Sequence, residues 1–477
     1  MIMATIDYKQ DYLTQRTGDP FADTGAHVIQ LMQEKSPEKT ILQLIEEATN
    51  IYVRNWGGGI NAFFLNSKIT QPAFLGERKK EESMAYFQRL LSNEEPYEEG
   101  YCRILGQKTK LFSTGRDNHI LAGSGTFINF HHGYQEGLKV AKEVIIRMFF
   151  VPLGAIQLGK NIAVIGSNLE KVEALFVEDI FKANMVEVSH KQAKGVLKSD
   201  FTNPANALFE FASKSLNTSK VVIEEDDQVE IHLYHFTNFG ASPEVNLYCF
   251  SARLFAFYRK AMKINYRSIW QSFVNDFYRN SKNSGAVYNN ATNQYELEVK
   301  KEKKNFEYQE YRVWFNVIYH KLLRNQSILK NFLYWSSNKY KQQAVFNIWP
   351  VVELYQTQLH NMKKTTLDKI RQIADYLIED EDKIKRRLNR LRLEVSNVYQ
   401  LKRFLIQTIG DHYQEKQPAR PLITLEEFVD DLFPEGTYGL EIKDLLMIAL
   451  YERLCEKNIP VELEGEDVLE DDRPNFN

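Results

Sequence analysis

The sequence predicts an α+β protein, in which an irregular mixed α/β N-terminal region precedes an all-α C-terminal bundle of about four helices. Apolar and polar residues alternate between residues 229 and 235, which is typical of a strand. After residue 360, apolar residues recur every three or four positions, which is typical of amphipathic helices. A chain of 477 residues with 43% hydrophobic content can bury two or three cores. We therefore predict two parts, residues 1–360 and 362–477.

The first 112 residues predict helices, then a loop, then short strands. Apolar residues recur at helical spacing in residues 28–32 and 41–45, and a charged connector with another helix fills 71–99. Three consecutive glycines follow Trp56 and precede Ile60, and such a run fits poorly inside a helix or a strand. We therefore predict an exposed glycine loop there, followed by strands in residues 101–112.

Residues 123–168 contain a Gly-Ser-Gly turn, paired histidines and an apolar helical run. The run stops at Pro152 and Gly154, and a strand begins at Asn161. This stretch contains no known catalytic motif.

The middle of the chain predicts hairpins and aromatic helices. Residues 221–223 and 229–235 flank an acidic turn at 224–227, which is the pattern of a hairpin, and another strand follows at 246–251. Helical patterns rich in Phe and Tyr occupy 254–278, and a polar loop or hairpin tip occupies 281–293. More helices are predicted from 308 to 360.

Four amphipathic helices are predicted after residue 360, and they form a bundle that could fold alone. The first is capped at Thr365 or Thr366, and the second runs continuously from 384 to 405. The third begins with a capping box of Thr424 and Glu427, after a Pro-rich linker. The fourth spans about 440–457.

Composition argues for a cytoplasmic protein without a disulfide framework. Three widely spaced cysteines are an odd number, which favours a reducing compartment. The first 13 residues lack an apolar signal core, and the most apolar run, 144–158, is too short to span a bilayer. The formal charge of −3 hides an acidic tail after Val461 and a basic segment at 383–403. We expect no metal and no cofactor.

The first third of the chain resembles a known family. The evidence is the order of motifs in residues 123–168, together with 17–25 (TGDPFADTG) and Asn55-Trp56 followed by three glycines. This arrangement is similar to the large subunit of type I-B CRISPR surveillance complexes, the Cascade family. The remaining two thirds match this family only in layout.

The resemblance implies a prokaryotic, non-enzymatic subunit of an RNA-guided complex. Such a subunit recognises the short flanking motif (PAM) of target DNA, helps to unwind the duplex and stabilises the displaced strand. The guide RNA, rather than the protein, would read the target sequence. The implied partners are CRISPR RNA, target DNA, backbone and handle-capping subunits, and a helicase-nuclease or a transposition adaptor. The C-terminal bundle is similar to the Cascade small subunit.

One departure from the family concerns a metal site. Relatives often have two Cys-x-x-Cys pairs, whereas here Cys102 is followed by Leu105, and Ala141 and Val144 occupy the later pair. A structural zinc site needs four N or S ligands, so we expect none in this chain.

Three loops are candidates for PAM-side contacts. Backbone at a glycine loop can enter a minor groove, asparagines can read base edges, and an apolar side chain can unstack a base step. The candidate residues are Asn55, Gly57, Gly58, Gly59, Asn61, Asn238, Phe239, Asn289, Asn290, Asn293 and Gln294. An ordinary tight turn or solvated loop would have the same composition.

A second set of candidates would neutralise phosphates. The segment 383–403 carries eight cations and a single acid, Glu394, whereas a stable solvated helix favours alternating signs. The strand-contact candidates are Lys300, Lys301, Lys383, Lys385, Arg386, Arg387, Arg390, Arg392, Lys402 and Arg403. A solvated charged face is the alternative.

Two other classes of function stay open. One is a metal-dependent nuclease that uses the region of His119 and His131, although no metalloprotease, Walker or paired-carboxylate motif accompanies these residues. The other is a purely structural adaptor. Within the family interpretation, Met362 is a candidate internal start, which would supply separate copies of the bundle as partners.

Overall fold

Helices make up 53% of the computed structural model, whose strands and sheets precede a helical C-terminal region, and the predicted fold class is thereby confirmed. The structure describes residues 13–57, 59–126, 128, 134, 136–237, 244–299, 302–434 and 438–461. The chain divides into two compact units, Met1–Ser251 and Ala252–Asn477, so that the division predicted at residue 361 lies inside the second unit. No helix within the described ranges is both long and apolar enough to cross a membrane.

The first unit combines six helices with two antiparallel sheets in its described part. A π-helical turn, Ile51–Asn55, extends the second helix. The elements are α1 Pro20–Lys35, α2 Ile41–Asn50, α3 Glu77–Ser92, β1 Tyr97–Tyr101, β2 Lys108–Thr114, β3 Leu138–Ala141, α4 Lys142–Gly154, β4 Ile156–Leu158, β5 Asn161–Ser167, α5 Glu170–Ser189, α6 Pro204–Asn217, β6 Ile231–Thr237 and β7 Glu244–Phe250. The strand orders are β1-β2-β3 and β4-β5-β6-β7.

The start of α1 is fixed by two aspartates. The Asp19 carboxylate accepts hydrogen bonds from the backbone N–H groups of Phe21 and Ala22, and Pro20 occupies the first turn, where its missing donor costs nothing. The buried Asp23 carboxylate accepts bonds from the backbone N–H groups of Thr17 and Gly18. The TGDP segment therefore forms the start of α1 and is hydrogen-bonded to a side chain of the same helix.

Helices α1 and α4 cross in the core of the first unit at Gly25. A Cβ atom at this position would lie 2.0 Å from the carbonyl oxygen of Arg147 on α4. Arg147 is fully buried, with its guanidinium nitrogen 3.8 Å from the Asp23 carboxylate. The absence of a side chain at Gly25 thus permits the close crossing.

The hairpin predicted between residues 221–223 and 229–235 is wrong. Residues 218–230 form no strand, and β6 pairs instead with β5 and β7, with Ile165 opposite Leu233 and Leu233 opposite Tyr248. The Asp227 carboxylate accepts a bond from the Glu224 backbone, so the acidic turn itself is present. The alternation of apolar and polar residues identified β6 as a strand, but this local pattern could not identify the strands that pair with it.

The second unit begins with helices and a small three-stranded sheet and continues into the bundle. Its elements are α7 Ala252–Ala261, α8 Ile264–Asn275, β8 Tyr278–Arg279, β9 Val287–Asn289, β10 Gln294–Val299, β11 Glu302–Phe306, α9 Tyr308–Tyr311, β12 Phe315–Asn316, α10 Val317–Leu323, α11 Leu329–Lys341, α12 Trp349–Leu359, α13 Lys364–Leu377, α14 Glu381–Asn389, α15 Val398–Lys416 and α16 Glu441–Glu456. Two further π-helical turns span Arg390–Glu394 and Glu427–Leu432. The polar segment 281–293 was predicted to be a loop or a hairpin tip. It leads into the β9–β10 hairpin, which agrees with the second alternative.

The predicted second helix of the bundle is not continuous. It consists of α14, the π-helical turn Arg390–Glu394 and α15, separated by a break at residues 395–397. The side chain of Asn397 accepts a bond from the Gln400 backbone and caps α15. On α16, the ammonium group of Lys443 donates to the carbonyl oxygens of Arg392 and Val395. A cation from another helix therefore satisfies the carbonyl groups that the break leaves free.

The two predicted helix caps have opposite outcomes. No side chain caps α13, whose N-cap is Lys363, and the hydroxyl of Thr366 donates instead to the carbonyl oxygen of Asp431. The prediction of a cap at Thr365 or Thr366 is therefore wrong. The capping box of Thr424 and Glu427 is confirmed, because each side chain accepts a bond from the other residue's backbone N–H.

Helix α16 is the central helix of the second unit. It packs against α11, α13 and α12, and nearly every residue from Leu445 to Leu454 is buried. The buried carboxylate of Glu452 accepts a bond of 2.8 Å from the backbone N–H of Trp349, at the start of α12. Helices on both sides of residue 361 thus share one core.

Candidate nucleic-acid interface

Two cations of the basic segment 383–403, Lys383 and Arg387, belong to an ion cluster around Glu415 at the edge of the bundle. The Glu415 carboxylate on α15 accepts hydrogen bonds from Lys383, Arg387 and Tyr376, at 2.7 to 3.1 Å. Although desolvation acts in the opposite direction, the hydrogen bonds from Lys383, Tyr376 and Arg387 lower the pKa of Glu415 to about 2. The side chain of Arg387 is only 7% exposed. Arg387 therefore holds α14 against α15 and presents no charge to a partner.

Two further cations of this segment rest on aromatic rings. The Arg390 guanidinium lies 5.7 Å from the ring centre of Phe404 and 3.5 Å from the exposed Glu394 carboxylate. The Lys402 ammonium lies 4.9 Å from the ring centre of Phe433. Both side chains are partly exposed, so their charges still face solvent on one side.

Arg386 and Arg403 are the outward-facing charges of the segment. Both residues are exposed, and no carboxylate of the described residues pairs with either of them. Lys385 is also exposed, next to Arg386 on α14. The eight cations predicted as one face therefore divide, with Arg387 inside the bundle and Arg386 and Arg403 at its surface.

Arg392 lies in a separate cleft of about 540 Å³ between α11 and the end of the described chain. The residues that line this cleft are Ser337, Tyr340, Lys341, Gln343, Arg392, Tyr451, Pro460 and Val461. The Tyr340 hydroxyl accepts a bond of 2.6 Å from the Val461 backbone N–H. The last described residues are thus held beside a basic cleft that the linear pattern did not predict.

The glycine loop after Trp56 is exposed at both of its described glycines. Asn55 ends the π-helical turn, Trp56 is buried, and Gly57 has a φ of +59°, which favours glycine. Asn61 is exposed on the far side of the loop. The predicted loop is therefore present, and whether it contacts DNA stays a prediction.

The asparagines of the β9–β10 hairpin have structural partners. Asn289 donates to the Glu296 carboxylate and accepts from the Ala291 backbone, and Asn290 accepts from the Ser272 hydroxyl. Asn293 has a φ of +56° and accepts from the Tyr288 hydroxyl. Gln294 begins β10. Turn chemistry explains part of this composition, and base contact by these residues stays a prediction.

Several predicted residues lie outside the described part of the chain. They are Gly58, His131, Asn238, Phe239, Lys300 and Lys301.

His119, the described member of the nuclease alternative, is buried beneath the start of α1. Its Nδ1 atom lies 2.9 Å from the carbonyl oxygen of Ile120. Desolvation lowers the pKa of His119, against the attraction of Asp19. Within the described residues, no group of three or more His, Cys, Asp or Glu side chains could hold a metal ion.

The four positions of the family's cysteine pairs meet in the core of the first unit. Cys102 is 1% exposed, and its sulfur lies 3.5 Å from the Leu105 backbone nitrogen and 3.4 Å from that of Ala141. Ala141 and Val144 are fully buried, and Leu105 packs against the same core. Apolar contacts therefore occupy this place in the described structure.

Comparison with known proteins gives no family for the chain. No protein-family model matches it, and no curated protein matches its sequence.

Proposed function

We propose that this chain is the non-catalytic large subunit of a type I-B CRISPR RNA-guided surveillance complex. In this role it recognises the PAM-side duplex, helps to open it, holds the displaced strand, and docks a helicase-nuclease or a transposition factor. The motif order of the first third of the chain, described above, supports this family. The proposed partners are CRISPR RNA, target DNA and the other Cascade subunits, in a prokaryotic cytoplasm.

One observation carries the strand-holding part of this proposal. Arg386 and Arg403 are exposed, and no described carboxylate pairs with them, although Glu415, Glu394 and other acids lie close to their neighbours. A surface designed only for solubility would pair or alternate its charges. Unpaired guanidinium groups are the side chains that bind phosphates most effectively.

Charge reversal tests this part directly. Arg386→Glu should weaken the binding of the complex to target DNA at all sequences and reduce the slope of log affinity against log salt by about one unit. Lys330→Glu is a matched control, because Lys330 is an exposed cation of the same unit without a described partner and outside the basic segment. Equal effects of the two substitutions would contradict a strand path over α14.

Purification and a cleavage assay test the proposal that the chain belongs to this family. The chain should copurify with a repeating backbone subunit and a short RNA. The competing function is a nuclease, for which the isolated chain would cleave nucleic acid with a divalent metal and lose that activity in His119→Ala. Metal-dependent cleavage of this kind would overturn the proposal.

A further inference from the structure

Helix α15 is apolar on two opposite faces. Its inner face buries Leu401, Phe404, Leu405 and Thr408 in the bundle. Its outer face carries Tyr399, Ile406 and Tyr413, which are 74%, 58% and 60% exposed. A surface helix normally has one apolar face and one polar face. The outer apolar residues therefore require an explanation that packing within the described chain does not supply.

The outer residues form one narrow stripe. Tyr399, Arg403, Ile406, Gly410 and Tyr413 are separated by four, three, four and three residues, and all five are exposed. This is the spacing of the seam along which two helices pack in a coiled coil. A Cβ atom at Gly410 would meet nothing within 4 Å, so a neighbouring helix could approach closely there. We call these five residues the outer stripe of α15.

The outer stripe is complementary to itself in the antiparallel direction. Ile406 lies midway between Tyr399 and Tyr413, seven residues from each. When two copies of α15 pack antiparallel about a two-fold axis at Ile406, each Tyr399 meets the partner helix at Tyr413, and Ile406 meets Ile406. Two-fold dimers require such a patch, in which the contact from residue i to residue j is repeated from j to i.

The charges of α15 fit the same arrangement. Arg403 belongs to the stripe, and Asp411 lies beside the stripe on the side towards which Arg403 is displaced. The antiparallel pairing brings Arg403 of one helix within one turn of Asp411 of the other. Neither side chain has an ion-pair partner in the described part of its own chain. In a parallel pairing Arg403 would instead face Arg403 of the other helix across the seam. Charge and shape thus favour the same orientation.

We propose that the outer stripe of α15 is a self-association surface, through which two copies of this chain pair antiparallel. A nucleic-acid strand is the other occupant to consider, but Asp411 lies beside the C-terminal half of the stripe and would repel phosphates. The stripe spans 14 residues, or about 21 Å of helix. This contact is smaller than the interface of a permanent dimer, so the association is weak and depends on concentration.

Sedimentation velocity of the full chain, free of nucleic acid and over a series of concentrations, tests this proposal. The chain should associate reversibly, and Ile406→Glu should weaken the association at least about tenfold. Leu425→Glu is the control, because Leu425 is an exposed apolar residue of the same unit, at 81%, outside the stripe. Arg403→Asp and Asp411→Arg should each weaken the association, and the two together should restore it.

Cysteine pairing tests the antiparallel orientation. In a chain with Cys249→Ser and Cys455→Ser, Ile406→Cys should form a disulfide-linked dimer by itself. Tyr399→Cys should link to Tyr413→Cys in a mixture, and neither should link to itself.

Two results would overturn the proposal. One is a chain that is monomeric at every concentration. If such a monomeric chain also lost affinity for single-stranded nucleic acid on Ile406→Glu, the stripe would be a strand-binding surface instead. The other is association that Ile406→Glu leaves unchanged. Because these measurements contain no nucleic acid, they do not depend on the proposed function, and failure of either proposal leaves the other standing. Arg403 can serve only one of the two contacts at a time, whereas Arg386 lies outside the stripe and remains available to a strand in either case.

Discussion

At the scale of single residues, Glu415 decides which cations of the basic segment are available. Its carboxylate is bonded to Lys383, Arg387 and Tyr376, and it is the reason that Arg387 can be buried. A buried guanidinium that loses its acceptor is costly, because desolvation is no longer offset. The surface charge of the segment is therefore smaller than the sequence indicates.

Glu415→Gln should lower the free energy of unfolding of the full chain at pH 7 by about 1 to 2 kcal/mol, as measured by chemical denaturation. The folded-state pKa of Glu415, about 2, lies below its ordinary value of 4.5. Its contribution is therefore present above pH 4.5 and is lost as the pH falls through about 2. The difference between variant and parent should shrink over that same interval.

The exposed pair of Arg390 and Glu394 provides the control for this measurement. The Glu394 side chain is 69% exposed, and such pairs contribute little to stability. Glu394→Gln should leave the unfolding curve unchanged at every pH. An equal effect of the two substitutions would show that Glu415 does not hold α14 and α15 together.

At the scale of secondary-structure elements, the crossing of α1 and α4 depends on Gly25. Gly25→Ala should lower the free energy of unfolding by at least about 2 kcal/mol, because the new methyl group would overlap the Arg147 carbonyl and force the helices apart. Thermal unfolding of the full chain measures this loss. Gln30→Ala, an exposed position on the same helix, should have almost no effect. A stable Gly25→Ala variant would contradict the close crossing.

The elements also show what the sequence can and cannot predict. Periodicity identified α13, whose apolar residues lie on one face. The fourth helix was correctly placed at α16, but the prediction that it is amphipathic is wrong, because α16 is buried on nearly every side. Periodicity could not detect the break before α15, because the stripe from Ile384 to Leu405 keeps its helical spacing across the break. The stabilising contact comes from Lys443, about fifty residues later in the chain, and such long-range contacts leave no local signal.

For the candidate interface, as for the helices, the sequence predicted the local elements but not the long-range contacts. Composition identified the basic segment, but the inward position of Arg387 depends on Glu415, in another helix. The Asn-rich tip was correctly placed near a hairpin, whereas the hydrogen bonds of Asn289 and Asn293 became apparent only with β10 in place. Sequence therefore predicted residue types and local elements better than it predicted which side chains face outward.

At the scale of the whole molecule, the second unit begins well before the bundle predicted from the sequence. Helix α16 packs on α11 and α12 as well as on α13, and Met362 is only 2% exposed. A product that starts at Met362 would lack α11 and α12. The internal start stays a prediction, and such a product would need another partner to cover α16.

A comparison of two fragments measures this dependence. Residues 252–477 should unfold cooperatively, whereas residues 362–477 should expose the faces of α16 that α11 and α12 cover, bind an apolar dye and aggregate. Cooperative unfolding of the shorter fragment with equal stability would show that α13 to α16 form a complete core. Glu452→Gln in the longer fragment is a useful addition, because Glu452 joins α16 to the Trp349 backbone.

The bond between Tyr340 and Val461 has a practical consequence for handling the protein. It fixes the point from which the final 16 residues depart, which is next to Arg392. Sixteen residues span at most about 58 Å even when fully extended, so an affinity tag fused after Asn477 cannot lie farther than that from the cleft at Arg392.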